Sequence, residues 1–200
     1  YLYYSTNCEY LLTADEIAAA GGSAGVINRL GVFLTVLGSY TSPGSLTMWM
    51  MNAPEGTTSI TGTTPHNASE MTQVWYTSQF NSWAQNLGAV ANDWTYFNLD
   101  TPFEYSGGAL FIRFCHNRSG YSGSSRHTIR VRSGMTNRAI LHYSDNASFC
   151  GNGTGSTAHG FLPNFMLDMD LGPTIKSVYP RDMNLFAANS QTGNIVVPYV

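Results

Sequence analysis

The residues of this chain that could carry out chemistry are few and scattered. Residues 21–25, Gly-Gly-Ser-Ala-Gly, contain the G-x-S-x-G pattern of a serine nucleophile elbow. Such an elbow needs a strand before the serine and a helix after it, whereas this sequence predicts a helix followed by a strand. The histidines form no i, i+4 pair on a helix; they are His66, His116, His127, His142 and His159. The sequence therefore predicts a protein that is not an enzyme and holds no catalytic cofactor.

A structural calcium ion is the only metal that the sequence suggests. Asp168 and Asp170 point the same way on an extended chain, and Asp145 would join them if the loops brought it close. The alternative is a solvated strand end. No other cofactor is expected.

Positive charge is concentrated in one stretch, where six arginines and no acid occur: Arg113, Arg118, Arg126, Arg130, Arg132 and Arg138. Alternation along a strand at 126–132 would place Arg126, Arg130 and Arg132 on one face. The chain has a single lysine and a net charge of -3, so we do not expect it to bind nucleic acid. We expect these arginines to meet carboxylates of a neighbouring strand or subunit.

Aromatic residues make up 13% of the chain and include several that cannot all fit in a core. Trp83 and Phe80 fall in a predicted loop, where they are candidates for a protein interface, since Trp, Tyr and Arg are enriched there. Stacking on a sugar ring and ordinary packing within the chain are the alternatives.

The composition indicates one domain with appendages. The chain has 200 residues, of which 43% are hydrophobic and only 10% are charged. This is enough for one well-filled core, with a surface wetted by hydroxyls and amides. No run reaches the roughly 20 apolar residues of a membrane span, so none is expected.

The elements that must position these side chains are mostly strands. Thr13 and Glu16 have the spacing of a capping box, and Gly21 and Gly22 supply a stop, so a helix is predicted at 14–20 and is expected to be the only one. Later apolar stretches are short and bounded by Gly, Pro, Asn or Ser. They predict strands at 26–37, 46–51, 71–77, 94–99, 109–115, 126–132, 139–143 and 162–168. Many short strands indicate an all-β sandwich or barrel.

Residues 94–110, Trp-Thr-Tyr-Phe-Asn-Leu-Asp-Thr-Pro-Phe-Glu-Tyr-Ser-Gly-Gly-Ala-Leu, resemble a jelly-roll-like β-sandwich domain of secreted surface proteins from the Bacteroidetes group. Residues 13–22, 46–50 and 162–165 are similar to other parts of that family. The resemblance covers roughly residues 4–168. It implies an antiparallel jelly-roll-like sandwich in an exported extracellular protein, often a type IX secretion substrate, that accompanies adhesins, gliding proteins or peptidases.

Export to an oxidising space would favour one disulfide among the three cysteines. Cys115 ends a predicted strand and Cys150 lies in a loop that could fold back over it, so this pair is the candidate. Cys8 could replace either partner.

Two regions are therefore predicted: a sandwich at 1–170, and a linker with a strand-like tail at 171–200. The tail is an inter-subunit arm or the start of a further immunoglobulin-like domain, and Ile195, Val197 and Tyr199 are its interface candidates. The leading interpretation is a structural or adhesive cell-surface subunit that assembles with copies of itself through terminal strands into a filament, appendage or layer. The alternative is a carbohydrate-binding accessory module that recognises surface glycans.

Overall fold

Short strands separated by turns form two packed antiparallel sheets in this chain. The computed structural model describes residues 5–39, 43–118, 127–144, 150, 157–170 and 193–196. Strands dominate these residues, and the helices are short. The all-β sandwich predicted from the sequence, with a short helix near its beginning, is therefore confirmed.

Sheet 1 has six antiparallel strands. In order across the sheet they are β10 (Thr157–His159), β9 (Ala139–Ser144), β1 (Ser5–Leu12), β6 (Leu110–Arg118), β3 (Gly44–Asn52) and β4 (Thr72–Thr77).

Sheet 2 packs against sheet 1 and is also antiparallel. Its order is β13 (Gly193–Val196), β12 (Phe165–Asp170), β2 (Gly25–Val36) and β5 (Asp93–Tyr105), and β7 (Thr128–Ile129) pairs with the last residues of β2. A separate two-stranded ladder joins β8 (Val131–Ser133) to β11 (Phe161–Pro163).

The main core lies between the two sheets and is rich in aromatic rings. Phe114 of sheet 1 stacks on Phe165 of sheet 2, with ring centroids 6.1 Å apart. Tyr10 meets both rings edge-on, at 6.2 Å and 5.7 Å. Phe97 extends the cluster from β5. Edge-to-face and offset contacts of this kind add to the area that the rings bury, so this cluster holds the sheets together.

Helix α1 (Ala14–Ala19) begins at the capping box that the sequence predicts. The Thr13 hydroxyl accepts a hydrogen bond from the Glu16 amide at 3.3 Å, and the Glu16 carboxylate accepts one from the Thr13 amide at 3.0 Å. Ile17 is fully buried. Caps of this kind contribute about 1 kcal/mol, and the buried isoleucine anchors the helix to the core.

The expectation of a single helix is wrong. Helix α2 (Trp83–Asn86) and a 3-10 turn (Ala68–Glu70) also form. Both are shorter than the window over which a helical period of apolar residues becomes visible in a sequence.

Two strand boundaries also differ from the prediction. β5 continues through Pro102 to Tyr105, because β5 is an edge strand and its pairing with β2 shifts between Asn98 and Phe103. A proline is tolerated at such an edge and bulge. The predicted strand at 126–132 is broken at Arg130, whose amide donates to Phe33 and whose carbonyl accepts from Asn164. The chain leaves sheet 2 there and pairs with β11 instead.

The described part of the tail is β13, which pairs with β12 of the same chain and places Ile195 opposite Leu167. This arrangement is the folding back of the tail on its own sandwich, and it differs from the predicted pairing with another copy. Residues 171–192 and 197–200, which include Val197 and Tyr199, lie outside the described residues.

Candidate functional site

The outer side of sheet 2 carries half-exposed aromatic rings beside charged side chains. Alternation along β2 and β5 brings Phe33 opposite Trp94, and the side chains of Tyr96 and Arg29 lie on the same side of the sheet. We call this surface the aromatic face and define it as Arg29, Phe33, Trp94, Tyr96, Arg130 and Asp168.

Two arginines are held over rings of the aromatic face. The Arg29 guanidinium lies 4.5 Å from the centre of the Tyr96 ring and forms an ion pair with Asp168, Nη2 to Oδ2, at 2.8 Å. The Arg130 guanidinium lies 4.2 Å from the centre of the Phe33 ring. Cation–π contacts orient these arginines without removing them from solvent.

The rings themselves make a stepped surface. Phe33 and Trp94 meet edge-to-face, with centroids 5.6 Å apart and planes at 86°. Gly31 lies between Phe33 and Arg29 on β2, opposite Tyr96. A methyl group at Gly31 would come within 3.2 Å of the Tyr96 ring and 3.0 Å of the Met166 Cβ. The absence of a side chain therefore lets the Tyr96 ring lie close against the sheet.

The aromatic face combines apolar rings with donors and acceptors at their edges. A pyranose ring presents an apolar C–H side and a rim of hydroxyls, and it fits a surface that offers an aromatic ring beside guanidinium and carboxylate groups. Burial raises the pKa of the Tyr96 hydroxyl, so this group is neutral at physiological pH and can donate a hydrogen bond.

The outer side of sheet 1 is different, because the segment 53–71 packs over it. We call it the covered face and define it by the buried polar residues Asn7, Glu9 and Arg113 with Trp49 and His66. Arg113 is fully buried and lies 5.1 Å from the Trp49 ring centre. Its Nε donates to Asn7 at 2.8 Å, and its Nη atoms donate to the backbone carbonyls of His66 and Cys150.

Glu9 is the acid of the covered face and faces Arg113 across the β1–β6 ladder. The Glu9 carboxylate accepts from the His66 amide and bonds the His66 ring Nδ1, each at 2.9 Å. The hydrogen bond to Glu9 raises the pKa of His66 above its ordinary value. This network bonds the segment 53–71 to the sheet and is structural.

Cys115 and Cys150 form a disulfide with their Cα atoms 5.4 Å apart, which is the pair that the sequence suggests. Cys8 is buried in the core and takes no part in the bridge. The disulfide and the Arg113 bond to the Cys150 carbonyl both fasten residue 150 to the covered face.

Trp83 and Phe80, predicted as interface candidates, belong to the main core. Their exposed fractions are only 8% and 4%. Trp83 stacks on Phe97 with centroids 5.4 Å apart, and Phe80 contacts His116 at 4.8 Å. The loop interpretation of this segment is wrong because α2 turns Trp83 inward, and packing within the chain is the alternative that the structure favours.

The remaining predicted residues are placed as follows. Arg132 lies 3.7 Å from Glu16 of the same chain, and Arg138 also bonds that carboxylate. Burial opposes ionisation of Glu16, but the hydrogen bonds from Arg138 and Thr13 hold its pKa below the ordinary value. Arg126 and Asp145 lie outside the described residues.

Asp168 of the proposed calcium pair is engaged by Arg29, which occupies the place where a cation would lie. Asp170 ends β12. Within the described ranges, no three His, Cys, Asp or Glu side chains are close enough together to hold a metal ion. The histidines predicted to be scattered lie in separate surroundings, such as His66 on the covered face and His127 against Trp83.

The sequence signal that could have located the aromatic face was the alternation in β2 and β5. Arg29 and Phe33 on β2, and Trp94 and Tyr96 on β5, are half-exposed, and each is followed by a buried residue. The family-like segment begins at Trp94, but the resemblance indicates a sandwich domain and does not indicate an exposed surface.

No helix in the described part of the chain is long and apolar enough to span a membrane. In comparisons with protein-family models, curated proteins and solved structures, this chain matches none of them.

Proposed function

We propose that this chain is a non-catalytic extracellular adhesive module whose aromatic face binds surface glycans. The observation that carries the proposal is the placement of Trp94 and Tyr96, two half-exposed rings on one sheet face beside Arg29, Arg130 and Asp168. Rings that served only the fold would be expected in one of the two buried clusters, as Trp49 and Trp83 are.

An extracellular location is supported by the Cys115–Cys150 disulfide, since such bridges persist mainly in oxidising compartments. The low content of charged residues and the resemblance of residues 94–110 to secreted sandwich domains point the same way. The adhesive role follows from combining this location with a binding surface that lacks catalytic groups.

The test is binding of the purified chain to a glycan array, followed by titration with the best glycan. Trp94→Ala and Tyr96→Ala should each weaken binding by about tenfold or more, because central aromatic residues dominate recognition. Tyr76→Ala is the matched control, since Tyr76 is 49% exposed on β4 and lies outside the aromatic face. Absence of binding to any glycan, or equal losses in the control and Tyr96→Ala, would contradict the proposal.

The non-catalytic part is tested separately with peptide and glycan substrates. We expect no turnover by the purified chain. Reproducible turnover that one substitution abolishes would show that the chain is an enzyme.

Self-assembly is the second candidate, and β13 is the observation that favours it. The four residues of β13 form the edge strand of sheet 2 by pairing with Met166–Met169 of β12. An edge strand of this kind is interchangeable between copies, because main-chain hydrogen bonds do not depend on which chain supplies it. If each copy donated β13 to the next copy, a filament or a ring would form.

Deleting residues 172–200 tests this second candidate. The truncated chain should remain folded and monomeric, and polymers of the full chain in electron micrographs or sedimentation should disappear. A synthetic peptide of residues 190–200 should bind the truncated chain, while a peptide with Ile195→Pro should bind less because proline lacks the ladder N–H. A full chain that stays monomeric at every concentration, or a truncated chain that still polymerises, would refute self-assembly through the tail.

A further inference from the structure

A cavity of about 140 Å³ that is partly open to the surface lies between the two sheets, on the opposite side of sheet 2 from the aromatic face. Most of its wall is apolar, and its rings are those of Tyr10, Phe80, Trp83, Phe97, Phe114 and Phe165. Well-packed interiors contain few voids larger than a water molecule, so a space of this size within an aromatic cluster is unusual.

One polar group on the cavity wall is unsatisfied. Thr6 lines the cavity and is only 2% exposed, and its Oγ1 has no hydrogen-bond partner among the described residues. The neighbouring Ser5 differs, because its hydroxyl donates to the His116 carbonyl at 3.1 Å. A buried hydroxyl without a partner is unfavourable, and a ligand that bonded it would gain affinity.

The wall contains two imidazole rings, those of His116 and His127. His127 lines the cavity, and burial lowers the pKa of its ring to about 4. Its Nδ1 accepts a hydrogen bond from the Gly38 amide at 3.0 Å, and its ring meets Trp83 edge-on at 4.9 Å. No carboxylate, lysine or arginine is among the residues that line the cavity in the described part of the chain. A charged ligand would therefore lose its hydration without gaining a counter-ion.

The size of the space limits the ligand to a single ring. An apolar cavity of about 150 Å³ in another protein stays dry and binds benzene. We propose that this cavity binds a neutral monocyclic aromatic molecule that carries one hydroxyl, with its ring against the aromatic wall and its hydroxyl bonded to Thr6 Oγ1. This site is distinct from the aromatic face, because it lies on the inner side of sheet 2.

The probes are phenol and toluene, which are nearly equal in size and differ in the hydroxyl. Each is titrated into the full chain with labelled Ile, Leu and Val methyl groups and followed by NMR. We expect the methyl signals of Val32, Leu46 and Ile129, which line the cavity, to shift. Those of Ile140, which belongs to the second buried cluster, should not shift.

Thr6→Val tests the contribution of the Thr6 hydroxyl to binding, because valine has nearly the same shape as threonine. This substitution should lower the preference for phenol over toluene by about tenfold, the value of one hydrogen bond. Thr95→Val is the matched control, since Thr95 is 1% exposed and its Oγ1 also lacks a partner, but Thr95 does not line the cavity. The control should leave the preference unchanged. Because the readout is a ratio within one variant, a modest loss of stability does not affect it.

Failure of both probes to bind at millimolar concentration would overturn the proposal, as would an unchanged phenol preference in Thr6→Val. Neither result would bear on the glycan proposal, because Trp94 and Tyr96 do not line the cavity.

Discussion

An arginine lies over an aromatic ring on both outer sides of the sandwich, but the surroundings of the pairs differ. On the covered face, Arg113 is fully buried over Trp49, and its donors reach Asn7 and two backbone carbonyls. On the aromatic face, Arg130 is exposed to solvent over Phe33. The same pair of residue types therefore holds a segment in place on one side and remains accessible to a ligand on the other.

The difference shows how burial decides the role of a charge. A buried guanidinium must bond most of its donors to protein, because loss of water would otherwise cost several kcal/mol. An exposed guanidinium keeps water on its remaining donors and can exchange that water for a ligand hydroxyl. We therefore expect substitutions on the covered face to affect stability and substitutions on the aromatic face to affect binding.

The largest effect should come from Arg113→Met. This change leaves the Asn7 oxygen and two carbonyls without their donor and removes the buried positive charge that faces Glu9, so we expect the free energy of unfolding to fall by about 3–5 kcal/mol. Urea denaturation measures it. Arg130→Met is the control and should change the value by at most about 0.5 kcal/mol. Equal losses in the two variants would mean that the two faces do not differ as described.

The next effect concerns the bridge beneath the covered face. Cys115 and Cys150 are separated by 35 residues in the sequence, and closing such a loop is worth about 3–4 kcal/mol in the chain-entropy account. The double variant Cys115→Ala, Cys150→Ala should lose about that amount in urea denaturation. A reducing agent should destabilise the wild type and leave the double variant unchanged. Insensitivity of the wild type to reduction would show that the bridge contributes nothing to stability.

A smaller effect should come from pH, because the His66 side chain is 35% exposed. The pKa of His66 is raised in the folded chain, so protonation of His66 stabilises the fold. This stabilisation is complete below the ordinary pKa of 6.5 and is lost as the pH rises through the raised value. The difference in free energy of unfolding between wild type and His66→Gln should therefore shrink from pH 6 to pH 8. A difference that grows with pH over this range would mean that the pKa of His66 is not raised in the folded chain.

The smallest effect should be the coupling between Arg29 and Asp168 on the aromatic face. Their side chains are 32% and 20% exposed, and solvent weakens an ion pair of this kind to roughly 0–1 kcal/mol. A double-mutant cycle with Arg29→Met and Asp168→Asn measures the coupling by urea denaturation. A coupling well above 1 kcal/mol would show that this pair stabilises the fold as the buried network of the covered face does.

Local sequence patterns predict most of the strands and the first helix. The spacing of Thr13 and Glu16 located α1, and short apolar segments bounded by turn residues located most strands of both sheets. These features depend on residues near each other in the sequence. Helix α2 is not predicted because four residues show no period, and the strand predicted at 94–99 is too short because the edge position that lets β5 continue through Pro102 is not visible in a sequence.

The site was harder to predict because it depends on which side of each strand stays uncovered. Alternation placed Trp94 and Tyr96 on one side of β5, but only the packing shows that this side is open. Trp83 illustrates the converse, since its loop-like context suggested exposure and α2 buries it. Within the arginine-rich stretch Arg113, Arg118 and Arg138 are buried, whereas Arg130 is exposed, and nothing local in the sequence separates the two groups.

At Gly31 the shape of the aromatic face depends on the absence of a side chain. Any side chain at this position would displace the Tyr96 ring, because even a methyl group would lie 3.2 Å from it. The tilt of the ring, and with it the spacing between Tyr96 and Trp94, is therefore adjustable from a residue that offers no group to a ligand. Under the proposed glycan binding, a related chain that replaced this one glycine would change its preferred glycan while keeping every residue of the aromatic face, and a comparison limited to those residues would not detect the change.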